Sequence, residues 1–172
     1  SVTFSTSAFT CRLEVPLAFL AVWALLAFGR AWWLGDPMAI PLHQMSSGAL
    51  VVFAFFILLA ATLNGGFVYG DIDNPDHHSQ WEFFAALVVN IIAAVLKFGD
   101  RTQLGAIHLA TSLVACLQLS AAALLWFFAP TTAAGTLAPA DMAEVVSLAA
   151  GALFANVVSV TLMIVETARQ RR

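Results

Sequence analysis

The chain has 172 residues, of which 61% are hydrophobic and only 10% are charged, and its formal net charge is −3. Soluble domains carry about 25% charged residues, and a small globule still exposes a large share of its surface, so lipid must cover much of this polypeptide. The weak negative charge, without a basic stripe, excludes nucleic-acid binding. The isolated Cys11 and Cys116 predict neither a disulfide framework nor a zinc knuckle.

Membrane-spanning helices are the predicted elements of this sequence. Five segments reach or approach the length of about 20 apolar residues that crosses a bilayer. In chain order they are residues 13–33, 46–68, 80–98, 103–129 and 142–168. We therefore predict an all-α integral membrane helical bundle with about five transmembrane helices.

The first predicted helix stands apart from the other four. Two prolines and a glycine make residues 34–44 a non-helical linker. We predict two units, an N-terminal transmembrane helix with its Pro-rich linker in residues 1–44 and a four-helix core in residues 45–172.

Two helix starts carry capping patterns. Ser79 followed by Glu82 three residues later is a capping box for the third predicted helix. Asp141 and Glu144 have the same spacing and predict the start of the fifth helix, where carboxylates favour the positive end of the helix dipole.

The basic residues predict the orientation. Lys97 and Arg101 lie two spans away from the arginines at the C-terminal end, so both groups fall on the same side. The positive-inside rule makes that side the cytoplasm. We expect a multi-pass protein of the bacterial inner membrane with a cytoplasmic C-terminus and with residues 69–82 and 129–140 facing outward.

Small and amide side chains are expected to join the helices. Ser147, Gly151, Ala155 and Ser159 recur every four residues on one face of the fifth predicted helix, as in closely packed membrane helices. Amides on facing helices can bond one another, or they can line a polar path. No Asp, Glu, Lys or Arg falls in the middle of a predicted helix, so we expect no proton relay and no site for a charged substrate. The four amides are Asn64, Asn90, Gln118 and Asn156.

The polar stretch between the second and third predicted helices is a candidate metal site. It holds acidic residues and two histidines but no Lys or Arg. Carboxylates and imidazoles are ligands for Zn, Mn or Ca, according to how many of each converge. A solvated acidic loop is the alternative interpretation of the same residues. The candidate ligands are Asp71, Asp73, Asp76, His77 and His78.

The same stretch begins like the end of a potassium-channel selectivity filter. Val68-Tyr69-Gly70-Asp71 follows an apolar run, and filter glycines allow backbone carbonyls to replace the water shell of an ion. The Thr-Val-Gly lead-in is absent, and the preceding run is long enough to cross the membrane completely. The residues predicted for a pore or polar path are Asn64, Val68, Tyr69, Gly70, Asn90, His108, Gln118 and Asn156.

Residues 45–172 resemble a known but uncharacterised family. The resemblance is carried by Tyr69-Gly70-Asp71-Ile72, Asn74-Pro75-Asp76-His77-His78, Leu96-Lys97-Phe98-Gly99-Asp100-Arg101 and Gly151-Ala152-Leu153-Phe154-Ala155-Asn156, among other stretches. These resemble small multi-pass proteins of the proteobacterial inner membrane. The resemblance implies a helical, multi-pass, bacterial protein and brings no assigned activity.

We predict a non-enzymatic accessory or structural subunit of a membrane assembly that is linked to ion transport. Its expected partners are the lipid bilayer and other membrane-protein subunits or further copies of itself. No cofactor is expected except a possible divalent metal ion. The alternatives are an oligomeric potassium-like channel that uses Val68–Asp71 and an outward-facing protein that binds divalent metal ions.

Overall fold

A computed structural model describes residues 47–98 and 102–170 of the protein. The predicted helix at residues 13–33 and the predicted boundary between residues 44 and 45 lie outside these described residues. Everything that follows concerns the four predicted core helices and their connections.

Four long helices make up the described part of the chain, joined by loops that include a 3₁₀ turn at Pro75–His77 and an isolated bridge between Thr131 and Leu137. Within these ranges the protein is all-α, as predicted. The predicted core helices are confirmed to within three residues at each end. They are α1 (Ser47–Val68), α2 (Gln80–Lys97), α3 (Gln103–Phe128) and α4 (Pro139–Gln170).

Side-chain caps begin two of the helices. The Ser79 hydroxyl accepts a hydrogen bond from the Glu82 amide at 3.4 Å, which confirms the predicted start of α2. Thr102, which the sequence reading did not identify, accepts from the Gly105 amide at 3.0 Å and starts α3. Each cap satisfies a backbone donor that has no partner inside its own helix.

The start of α4 differs from its prediction. The helix begins at Pro139 rather than near Asp141, and the Met142 amide donates to the Ala138 carbonyl at 3.0 Å. Proline suits the first helical position because its missing N–H would be unpaired there anyway. Asp141 therefore lies inside the first turn, where its charge still complements the helix dipole.

The helices form an up-and-down bundle. Each packs against the next in sequence, and α1 also packs against α4, which closes the ring. The bundle has two different ends. The loop end carries the α1–α2 loop, residues 69–79, and the tail end carries the α2–α3 connection and the last turns of α4.

The surface of the bundle is apolar. Leu117 and Phe154 are 71% and 74% exposed in the middle of α3 and α4, while several polar side chains are buried inside. All four helices are long and apolar enough to cross a membrane. An apolar surface around a polar interior is the arrangement that a protein surrounded by lipid requires.

Aromatic residues close the bundle at the loop end. The rings of Phe67 on α1, Phe83 on α2 and Trp126 on α3 contact one another with centroids 5.0, 5.5 and 6.1 Å apart. Leu119 and Met142 are fully buried beside them. We call these three rings the aromatic cluster.

The small-residue ridge of α4 meets α3 at one close contact. Ser159 is buried, Gly151 and Ala155 are partly buried, and Ser147 is exposed. A Cβ atom placed on Gly151 would lie 2.5 Å from the Gln118 amide nitrogen, which is closer than real Cβ contacts come. Glycine at this position therefore lets the Gln118 side chain lie directly against the α4 backbone.

We expect Gly151→Ala to raise the unfolding free energy by less than Gly65→Ala does, because its methyl group must push aside the Gln118 amide, which offsets part of the helix-propensity gain of about 1 kcal/mol. Gly65→Ala is the matched control, since its Cβ would lie 3.8 Å from Leu153 Cδ1, an ordinary contact. The melting temperature of Gly65→Ala, measured by thermal unfolding in detergent, should be equal to or higher than that of the wild type. Equal stabilisation by both substitutions would contradict the close contact.

Candidate functional site

A lysine lies buried inside the bundle. Lys97, the last residue of α2, is only 4% exposed. Its Nζ donates hydrogen bonds to Ser112 Oγ on α3 and to Ser159 Oγ on α4, the second at 3.1 Å. Lys97 lies at the end of its predicted helix and not in the middle, yet its side chain brings an amine into the interior. Lys97 therefore does not belong to the surface charges that predicted the orientation.

The direction of the Lys97 side chain follows from helix geometry. Side chains tilt towards the N-terminus of their helix, so a long side chain on the last residue of α2 points back into the bundle. Ser112 follows Gln103, the first residue of α3, by nine positions, which is about 14 Å along the helix axis. In a bilayer that α3 crosses, that depth would place the amine inside the hydrocarbon layer, which is about 30 Å thick.

Hydroxyl groups extend the contacts of the lysine. Ser159 Oγ lies 2.6 Å from Thr111 Oγ1, and Thr111 donates to the His108 carbonyl at 2.9 Å. Since the Thr111 hydrogen is used in that bond, its oxygen accepts from Ser159, which in turn accepts from Lys97. We call Lys97, Ser112, Ser159 and Thr111 the amine cluster. It joins α2, α3 and α4 through side chains alone.

A histidine and a glutamate lie between the amine cluster and the tail end. His108 on α3 is 1% exposed, and its Nε2 lies 4.0 Å from Glu166 Oε2 on α4. The Glu166 side chain keeps 14% exposure. The His108 ring also meets Phe53 of α1 edge-on, with centroids 6.2 Å apart. Three titratable side chains from three helices thus face the interior of one half of the bundle.

The four predicted amides all point inward but do not bond one another in pairs. Asn64, Asn90 and Asn156 are buried, and Gln118 lies against Gly151. Asn90 donates to the Ala86 carbonyl of its own helix at 2.7 Å. Within residues 47–98 and 102–170, both polar atoms of Asn64, the Asn156 nitrogen and the Gln118 oxygen are buried without a hydrogen-bond partner.

His78 fixes the α1–α2 loop to the end of α1. Its buried ring places Nδ1 2.7 Å from the Phe67 carbonyl and Nε2 2.9 Å from the Asp71 carbonyl. Carbonyl oxygens only accept, so a ring nitrogen that carries hydrogen donates to the carbonyl that it faces. His78 therefore caps the C-terminal end of α1, where backbone carbonyls lack partners inside the helix.

The five predicted metal ligands do not converge. His78 uses both ring nitrogens on backbone carbonyls, while Asp73 and Asp76 are exposed. Only His77 and Asp71 approach each other, with Nδ1 3.3 Å from Oδ2. Among the described residues, no three His, Cys, Asp or Glu side chains lie close enough to hold a metal ion. Metal binding by this loop stays a prediction.

The predicted filter residues lie at the loop end of α1. Val68 ends a helix of membrane-crossing length, and Tyr69 is 87% exposed beyond it. Gly70 has φ +145°, and a Cβ there would lie 3.0 Å from His77 Cβ. The loop itself therefore requires this glycine, whether or not any ion passes.

The described residues form four helices of membrane-spanning character, with an amine, an imidazole and a carboxylate facing their interior. The chain belongs to a family of unknown function, DUF6394, whose match covers residues 77–167, more than half of the sequence. This agrees with the predicted membership of an uncharacterised family. Comparison with curated proteins and with solved structures gives no match.

We expect His78→Ala to loosen the α1–α2 loop, because it removes the partner of the buried Phe67 carbonyl, a loss of about 1–3 kcal/mol. His77→Ala is the control, since the His77 side chain is 46% exposed and pairs only with Asp71 nearby. Limited proteolysis of the protein in detergent should cut His78→Ala faster within residues 69–79 and leave His77→Ala close to wild type. Equal cleavage of all three proteins would contradict the capping role.

Proposed function

We propose that the protein is a non-enzymatic subunit of a bacterial inner-membrane assembly that moves ions, with its arginine-rich C-terminal end in the cytoplasm. The supporting observation is the amine of Lys97, buried inside the bundle and hydrogen-bonded to hydroxyls of two other helices. Ionisable groups inside membrane segments are expensive to bury and mark the routes of ions and protons.

The apolar surface supports the role of a subunit. Large apolar side chains are exposed on all four helices, including Val51 on α1, Val88 on α2, Leu117 on α3 and Phe154 on α4. Such faces accept either lipid or the helices of another membrane protein. The partners that we propose are other membrane-protein subunits or further copies of this chain.

The competing explanation is that Lys97 acts only as a fastener, a side chain that holds helices together. The amine joins α2, α3 and α4, and a purely structural role would need only that contact. A fastener would make the stability of the fold depend on Lys97 and leave ion movement unchanged in any variant that still folds.

Isolation of the full chain from its native membrane in mild detergent tests the subunit role. We expect it to migrate in a defined complex that contains an ion-translocating membrane protein or several copies of this chain, identified by mass. A monomer under gentle extraction would contradict the proposal.

Ion movement by that complex, reconstituted in liposomes, tests the contribution of Lys97. We expect Lys97→Met to lower the flux towards that of empty liposomes, because it removes the ionisable group and keeps an unbranched side chain. Leu117→Met, on the lipid-facing surface, is the control and should keep the wild-type flux. Wild-type flux in a folded Lys97→Met complex would leave only the fastening role.

A further inference from the structure

The two halves of the interior differ in chemistry. At the loop end, the aromatic cluster and Leu119 fill the space between the helices with apolar groups. Towards the tail end the buried side chains include an amine, several hydroxyls and an imidazole. The polar contacts of Lys97 therefore lie on the tail side of the aromatic cluster, while Asn64 is a buried polar side chain nearer the loop end.

The groups that face Lys97 can be named helix by helix. From α3 they are His108 and Cys116, and from α4 Glu166 lies beside His108. The sequence of α1 contains no titratable residue. Position along the helices orders these groups from the tail end. Glu166 is four residues from the last residue of α4 and His108 five residues from the first residue of α3, whereas the Lys97 amine reaches Ser112, nine residues from the start of α3. The carboxylate thus lies nearest the tail end and the amine deepest in the bundle.

The hydrogen bonds between these groups run in one direction. Lys97 donates to Ser159, Ser159 donates to Thr111, and Thr111 donates to the His108 carbonyl. Hydroxyl groups both donate and accept, so such a row can reverse by rotation of each hydroxyl. The row ends at the His108 backbone carbonyl, so the hydroxyls lead from the amine to the turn of α3 that carries His108.

We propose that Lys97 is a proton-binding site, loaded and unloaded from the tail end through Glu166, His108, Thr111 and Ser159 and closed towards the loop end by the aromatic cluster. This inference rests on the proposed function and names the proton as the ion that the protein handles.

The proton transfer balances within these residues. The Lys97 ammonium gives a proton to the Ser159 oxygen while Ser159 passes its own proton to Thr111. Thr111 turns from the carbonyl and passes its proton to the His108 ring, which gives one to the Glu166 carboxylate from its other nitrogen. The result is a neutral amine and a carboxylic acid, with both hydroxyls restored and the neutral imidazole carrying its hydrogen on the other ring nitrogen. Rotation of the ring or exchange with water returns it to the first tautomer before the next transfer. Glu166 then releases the proton to water.

The sequence offers a single-site probe, since Lys97 is its only lysine. The full chain, labelled with ¹⁵N at the lysine side chain and held in lipid nanodiscs, should give one amine signal by NMR. We expect that signal to move between two limits as the bulk pH changes from about 5 to 10. A signal fixed over that range in the folded protein would overturn the proposal.

Variants of the route separate proton access from folding. Glu166→Gln and His108→Phe should slow the protonation exchange of the Lys97 signal by about 10-fold or more, as expected for removal of a proton-transfer group. Glu144→Gln, an exposed carboxylate at the other end of α4, is the control and should keep the wild-type rate. Wild-type exchange rates in both Glu166→Gln and His108→Phe, with both proteins folded, would exclude the route.

The closed end is tested by thiol accessibility. In full chains that carry Cys11→Ser and Cys116→Ala, the Ser159→Cys and Asn64→Cys variants would be exposed to silver ions from either side of sealed vesicles. Ser159→Cys should react several-fold faster from the side of the C-terminal arginines, and Asn64→Cys should show no such preference. Equal reaction of Ser159→Cys from both sides, or faster reaction from the loop side, would overturn one-sided access.

The two proposals fail separately. A titrating Lys97 with one-sided access in a chain that isolates as a monomer would remove the subunit role and keep the proton site. A complex with an ion carrier in which the Lys97 signal never moves would remove only the proton site.

Discussion

The bundle depends on keeping a hydrogen-bonded amine away from lipid. An ammonium group in hydrocarbon is costly unless other groups satisfy its hydrogens, and Lys97 finds Ser112 and Ser159 on two neighbouring helices. Those contacts join α2 to α3 and α4 on the tail side of the close contact between Gly151 and Gln118. A lipid environment accounts both for the apolar outer surface and for the placement of these polar side chains inside the bundle.

The family match and the amine cluster cover the same part of the chain. Residues 77–167 include α2, α3 and most of α4, and with them Lys97, Ser159 and Glu166. Helix α1 lies outside the match and contributes apolar walls, through Phe53 beside His108 and Phe67 in the aromatic cluster. The amine, imidazole and carboxylate thus belong to three helices, and α1 adds apolar rings and the buried Asn64.

The α1–α2 loop has a structural task that accounts for its most distinctive residues. His78 satisfies carbonyls at the end of α1, and Gly70 takes a backbone conformation that brings the chain close to His77. A glycine and histidines next to a membrane helix resemble parts of an ion-channel selectivity filter and of a metal-binding site. Here the unpaired carbonyls at the end of every helix already explain their presence.

Length and apolar composition determined the number, bounds and membrane character of the four described helices, because a bilayer imposes one thickness on every span. The sequence also predicted the inward positions of Asn64, Asn90 and Asn156, because amide side chains in membrane helices face other helices. The sequence did not reveal that Lys97 turns into the bundle, nor that His78 is a cap, nor that the amides leave each other unpaired. Those outcomes depend on which atoms of other helices lie within reach of a flexible side chain, and only the packed tertiary structure decides that distance.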